Sequence, residues 1–469
     1  MEESKKSEKI HESEYAEDTF KVLVTRDRKS VVRVELVSDK EKEEREEKEK
    51  NGKDQVLSFG VISYNWFQLC LGLFEAFPVY RKVARALHVD RADSKLATDI
   101  ERLALSFIEQ KDDENNEFSR IYSIRRQHIY QVSKEIIRLN QYKRAENAIS
   151  RAQLLSLVAE YEAFIGDLLR LVIRESPRTF ISQDSTIKAS EVIEKKSIDD
   201  IKASIVESRI ESIQRESHVF QLKMIYEKLN IPTPDTTSMK EFAEVCERRN
   251  MLTHADGKVN QLYRDNLIKL GVKSDSLPPI GQNLDIDAHY MRRSIARVFL
   301  MGYFTLHIVW QKVRVDEKEK SVSMLINQSH DFLVAGYTKM AKRICDFILN
   351  KKSPATELDR AYAVINKALA DFLDKDMSNE EKREAIDETL SQRDWSIVDA
   401  KFDLALCCLR EEYDRLPYLI DACVNDGLEI DAFLTWALFT KVRELEIFKE
   451  KVKEHFNVDV EVLDFSSKE

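Results

Sequence analysis

The chain has 469 residues, 43% of them hydrophobic and 34% charged, with a formal net charge of -10. That length and apolar content suit roughly two to four domains with real cores, while the acidic balance excludes a global basic field for extended nucleic-acid binding and leaves only a local site compatible with it. Ten glycines and eight prolines are too few for an all-β protein rich in tight turns, so the expected class is all-α, mainly helical and multi-domain, with a small β-hairpin near the N-terminus.

The start Met1-Glu2-Glu3-Ser4-Lys5 lacks the apolar run of a signal peptide. The longest apolar stretch, Val298 to Trp310, is too short for a membrane span and contains His307, which reads as a buried core helix. The expectation is a cytoplasmic protein with no membrane partner. Cysteines 70, 246, 345, 407, 408 and 423 form no C-x-x-C, and no histidine stands at zinc-ligand spacing. Reduced, mostly buried thiols follow, with no metal and no cofactor expected.

In chain order, Phe20 to Val24 and Val31 to Val37 alternate in β-branched runs around Thr25 to Ser30, the pattern of a hairpin. Asp39 to Asp54 is nearly all Glu, Lys and Arg and reads as a solvated loop or exposed helix. Val56 to Phe77 is dense in aromatics, suited to a core or a docking surface. Val83 to Gln110 and Asn116 to Leu139 continue with helical periodicity. Arg120, Arg125, Arg126, Lys143, Arg144 and Arg151 recur along this region, as a solvated face or as phosphate contacts. Together, residues 1–144 are the expected N-terminal region.

Ala145 to Ile173 reads as a long amphipathic helix, and Ser197-Ile198-Asp199-Asp200 as the start of another. Ile201 to Leu229 keeps one amphipathic pattern until Ile231-Pro232-Thr233-Pro234 stops it. The next helix opens on a Ser238/Glu241 capping box and carries Met239, Phe242, Val245, Cys246 and Leu252 on one side. Glu244 and Arg248 share the other side, as a solvated pair. Arg249, four after Val245 and three before Leu252, puts a guanidinium in the apolar stripe, where a charge needs a partner or a role. Asn250 and His254 lie on one ridge, whereas Arg249 and His254 are roughly 140° apart on an ideal helix. Convergence of the three needs the helix to end or bend here, or a second subunit to complete a cleft, and Asp256-Gly257 supply a stop signal.

Arg249-Asn250-x-x-x-His254, followed by Gly257, Val259-Asn260 and Tyr263, resembles the signature of the HEPN superfamily, small helical domains that are often metal-independent RNA endonucleases. Tyr161-Glu162-Ala163-Phe164 resembles the first helix of many such domains. The resemblance spans about Ala145 to Val313, with Val259 to Leu270 as a short helix, Leu277-Pro278-Pro279-Ile280-Gly281 as a turn and Ala288 to Val313 as the last long helix, and implies a four-helix domain over 145–315. It makes Arg249, Asn250 and His254 the catalytic candidates, with Glu162, Asn260 and Tyr263 in support. Glu162 would either orient the motif arginine or be an ordinary surface carboxylate.

Residues 316–469 form the third expected region, an irregular helical array. Met324 to Leu349, Glu357 to Leu373, Glu380 to Leu390, Ser396 to Arg410, Tyr413 to Val424 and Ile430 to Phe456 are amphipathic, and Ser378 with Glu381 forms a capping box. These segments resemble stacked helical pairs of the tetratricopeptide kind but have no clean period.

RNA carries its own nucleophile, so its cleavage requires deprotonating the 2′-hydroxyl, protonating the leaving 5′ oxygen and stabilising the phosphoryl oxygens. Histidine suits the first two tasks near neutral pH and arginine the third, while Asn250 could hold imidazole or phosphate through its amide. One histidine does not easily act as both base and acid, and the resemblance implies a homodimer that brings two motifs to one cleft. It also implies a defence or toxin effector that is silent until a regulatory protein or phage trigger releases it. The alternative is a non-catalytic interaction or adaptor protein in which Arg249 and His254 belong to a satisfied polar cluster at a helix end.

Overall fold

A computed structural model describes residues 21–26, 31–37, 57–86, 89–112, 117–182, 197–396 and 398–460, with scattered positions between 183 and 196. The chain divides into two compact units, Leu57–Leu325 and a second that takes Ile326–Glu469 together with Met1–Val56. The described residues are mainly helical, the mainly-α class expected from the few glycines and prolines. Among the described residues no helix is long and apolar enough to cross a membrane.

Strands β1 (Lys21–Arg26) and β2 (Val31–Val37) pair antiparallel, as their alternation predicts. The charged run 39–54 lies outside the described residues.

In the unit Leu57–Leu325, the aromatic-rich run forms helix α1 (Phe59–Ala86), with Phe59, Trp66, Phe67, Phe74 and Phe77 buried. It is core. After α2 (Val89–Leu103) the chain turns into a second hairpin, β3 (Ala104–Asp112) with β4 (Glu117–Ile124), where helical periodicity predicts two helices. Phe107 and Ile108 in the first segment and Phe118, Ile121, Tyr122 and Ile124 in the second are aromatic and β-branched residues that favour extended strands over helix.

Helix α3 (Ile129–Glu175) then runs unbroken for 47 residues, about 70 Å at 1.5 Å per residue. The expected boundary at residue 144 therefore falls inside a continuous helix. Leu157, Val158, Tyr161, Ile165, Leu168 and Leu169 line its buried face. Ile201 to Leu229 is likewise two helices, α4 (Ile198–Gln214) and α5 (His218–Leu229). Ser217 caps α5 by accepting from Phe220 N, and the Gln221 amide donates to the Gln214 and Glu216 carbonyls, satisfying backbone groups that an uninterrupted helix would have paired internally.

Helix α6 (Thr236–His254) follows, then α7 (Gln261–Lys269) and α8 (Ala288–Val313), whose bounds are those read from the sequence. Helix α8 packs against α1, α3 and α6. Trp66 of α1 stacks on Phe164 of α3 at 4.4 Å and donates its indole N–H to Phe299 O of α8 at 3.2 Å. Gly302 of α8 faces both: an added Cβ would stand 2.9 Å from Phe164 Cε1 and 3.2 Å from Trp66 Nε1. So α1, assigned by composition to a separate N-terminal region, belongs to the same core as the motif helix. His307 sits inside it between Ser63 Oγ (3.1 Å) and Ser321 Oγ (2.8 Å), and burial pulls its pKa down to about 3. It is a neutral core histidine.

In the second unit, the segment read as one run from Met324 is α9 (Lys318–Val334), across which the division falls, and α10 (Thr338–Leu349), separated at Gly336 with φ +79°. Helices α11 (Glu357–Leu373), α12 (Asn379–Leu390), α13 (Ala400–Arg410), α14 (Leu416–Asn425), α15 (Ile430–Thr435) and α16 (Glu446–Phe456) follow. The Ser378/Glu381 capping box is present in both directions. All six cysteines are buried free thiols.

Candidate functional site

The motif helix α6 begins one turn before its predicted cap. Asp235 accepts from Ser238 N at 2.9 Å, so Ser238 is inside the first turn and Glu241 instead pairs with Arg297 of α8. Aspartate caps as well as serine, and the Pro232/Pro234 segment delivers the chain in extended form at the earlier position.

Arg249 finds its partner across the helix interface. Its Nη2 donates to Glu162 Oε1 of α3 at 2.5 Å, and its Nη1 to Asn250 Oδ1 at 3.3 Å. The Arg249 side chain is 20% exposed and that of Glu162 38%, so this is a half-buried pair at the edge of the α3/α6 contact. The same oxygen, Glu162 Oε1, lies 3.0 Å from Nε2 of His218, the first residue of α5. His218 hydrogen bonding, then Arg249, holds the Glu162 carboxyl below its usual range against the opposing effect of burial. Glu247, one turn before Asn250 on the same helix, is bonded by Asn266 Nδ2 at 3.1 Å, and burial raises its pKa.

Glu162, Arg249 and Asn250 therefore come together, and His218 joins them. Sequence periodicity missed His218 because the apolar pattern of α4 and α5 runs straight through their break. The signal that could have found it is Ser217, a strong N-cap residue after the polar run Gln214-Arg215-Glu216.

His254 is not drawn into this cluster. It is the last residue of α6, exposed, and among the described residues none hydrogen-bonds to its imidazole. Just beyond it Asp256 (φ +49°) and Gly257 (φ +78°) turn the chain, and the N–H groups of Ala255 and Gly257 both donate to Met251 O. Arg151 of α3 clamps that turn, bonding Asp256 Oδ1 at 2.7 Å and Asp256 O at 3.1 Å. A neighbouring cleft is lined by Asn147, Arg151, Lys258, Asn283 and Asp285. Of the other basic residues read along this region, Arg125, Arg126 and Arg144 are exposed, and the side chains of Arg120 and Lys143 lie outside the described set.

The remaining supporting candidates serve the scaffold. Asn260 caps α7 by accepting from Tyr263 N at 2.9 Å. Tyr263 OH donates to Glu244 Oε1 (3.1 Å) and Tyr290 OH to Glu244 Oε2 (2.9 Å). Arg248 completes this network, donating to Glu244 Oε1 at 2.8 Å and lying 3.9 Å over the Tyr290 ring. Its partner is the one expected, but the pair is largely enclosed, with Arg248 15% exposed. Two tyrosines that pack on it remove the solvent that helical spacing alone would leave there.

Among the described residues no group of three or more His, Cys, Asp or Glu stands close enough to hold a metal ion. Comparison of the chain with protein-family models, with curated proteins and with solved structures returned no match.

Proposed function

We propose that this chain is a metal-independent endoribonuclease of HEPN type, a defence or toxin effector held inactive until triggered. The observation that carries the reading is the Glu162–Arg249 pair, which seats a half-buried guanidinium one and a half turns before an exposed histidine at a helix end. In the reaction, the 2′-oxygen of RNA attacks the adjacent phosphorus as His254 removes its proton. The 5′-oxygen leaves with a proton from the second copy's motif, and a 2′,3′-cyclic phosphate remains. Arg249 neutralises charge on the phosphoryl oxygens, with Asn250 positioning its guanidinium. Because Arg249 and His254 point roughly 140° apart on a straight helix, one copy does not close the site, and the reading takes a homodimer.

The resting contacts fit a restrained state with a low but measurable basal rate: both terminal nitrogens of Arg249 are engaged, by Glu162 and Asn250. A regulatory protein or phage trigger would act by releasing them. The same engagement favours a second reading, a non-catalytic adaptor in which Arg249 only ties α6 to α3. Incubation with RNA and with DNA of the same sequence in EDTA tests the proposal. RNA cut to cyclic-phosphate and 5′-hydroxyl ends, with DNA intact, is the expected outcome. Cleavage of both, or cleavage only with added metal, would refute it.

A further inference from the structure

One carboxylate oxygen, Glu162 Oε1, receives two donors from two different helices: Arg249 Nη2 from α6 and His218 Nε2 from α5. An ionised carboxylate can only accept, so Nε2 carries the proton, and in the neutral ring Nδ1 holds the lone pair. A ring in that state can still gain a proton at Nδ1 without giving up its bond to Glu162.

The surroundings define what that proton would meet. From α3 come Glu162 and the Tyr161 ring, 6.0 Å away between centroids; from α6 come Arg249 and Glu247. The amide nitrogens of Gln221 and Gln214 are occupied with the break between α4 and α5 and with Glu162 O, while Gln221 Oε1 is buried without a hydrogen bond among the described residues. Glu247 is bonded by Asn266. Arg249 is therefore the cation bonded to Glu162. If it moves to another anion, the half-buried carboxylate keeps only the His218 ring as a bonded donor, and a carboxylate that close, with no other cation on it, favours a proton on the ring.

We infer that His218 and Arg249 are alternating counter-ions of Glu162: when an RNA phosphate draws Arg249 off the carboxylate, His218 takes a proton from solvent at Nδ1 and replaces it. His218 is a positioning residue, setting how readily Arg249 is released. The inference rests on the reading that Arg249 receives a phosphate. Its consequence is that binding is linked to proton uptake and tightens as pH falls, by up to about tenfold per pH unit where one full proton is taken up.

The test uses the full chain and a short oligoribonucleotide that is 2′-O-methylated throughout and so uncleavable, titrated calorimetrically in two buffers of different ionisation enthalpy. Wild type is expected to take up as much as about one proton per oligonucleotide bound. His218→Gln, whose amide can still donate to Glu162 but cannot titrate, should bind without uptake. Glu247→Gln should retain the uptake, and Glu162→Gln should bind more tightly and without pH dependence. Uptake that survives in His218→Gln, binding without uptake in wild type, or no binding by wild type would overturn the exchange. Cleavage of the unmethylated oligomer, run in parallel, separates the two readings. Uptake without cleavage keeps the exchange and removes the ribonuclease, and cleavage without uptake does the reverse.

Discussion

At Glu162 a single oxygen holds two helices to a third, and the cost of removing it follows from what is left behind. Glu162→Ala strands the guanidinium of Arg249 in a half-buried position, which should cost about 1–3 kcal/mol in denaturant unfolding. The figure lies below that for a fully buried pair because the carboxylate is partly screened by solvent. His307 gives a second expectation at this scale. Its folded pKa, about 3, is depressed below the ordinary histidine value. The unfolded chain therefore binds a proton that the folded chain refuses, and stability should fall as pH drops from about 6.5 toward 3. Replacing His307 by Asn should flatten that slope in acid unfolding curves. The tension at Arg249 was legible in the sequence, since an arginine in an apolar stripe demands a counter-charge. Its partner was legible only as one of two alternatives for Glu162, because α3 and α6 meet through a tertiary contact between residues 87 positions apart.

Among the elements, α6 shows what local rules read well and where they slip. Its end was plain from Asp256-Gly257, and the left-handed backbone of both residues is why. Its start was misread by one turn, because Asp235 and Ser238 are both good caps and only one can be first. Asp235→Ala should therefore cost about 1 kcal/mol in thermal or denaturant unfolding, while Ser238→Ala should cost only a few tenths. The reverse ranking would return the cap to Ser238. The α4/α5 break was hidden because apolar periodicity persisted across it, and the β3–β4 hairpin because each of its strands continues a helical segment, Val83 to Gln110 on one side and Asn116 to Leu139 on the other, without a change of pattern.

For the whole molecule, the mainly helical class was legible from glycine and proline scarcity, but the domain plan was not. The resemblance read from the sequence implies a contiguous block 145–315, yet α1, which lies outside it, packs Trp66 against Phe164 and Phe299. Sequence distance conceals that contact. A fragment of residues 57–325 should fold with a cooperative thermal transition, whereas 145–315, which lacks α1 and its contacts with α3 and α8, should not. A cooperative transition in the shorter fragment would restore the smaller domain.

The proposed function turns on His254, the exposed end of the motif helix. The most direct measurement is the rate of RNA cleavage in EDTA by wild type and by His254→Ala, with new ends typed chemically and folding checked by melting. His254 is exposed and, among the described residues, its imidazole has no hydrogen-bond partner, so the melting temperature should hold while the rate drops by about a hundredfold or more. Equal cleavage by the two proteins would contradict the assignment of His254 as the proton-transfer group.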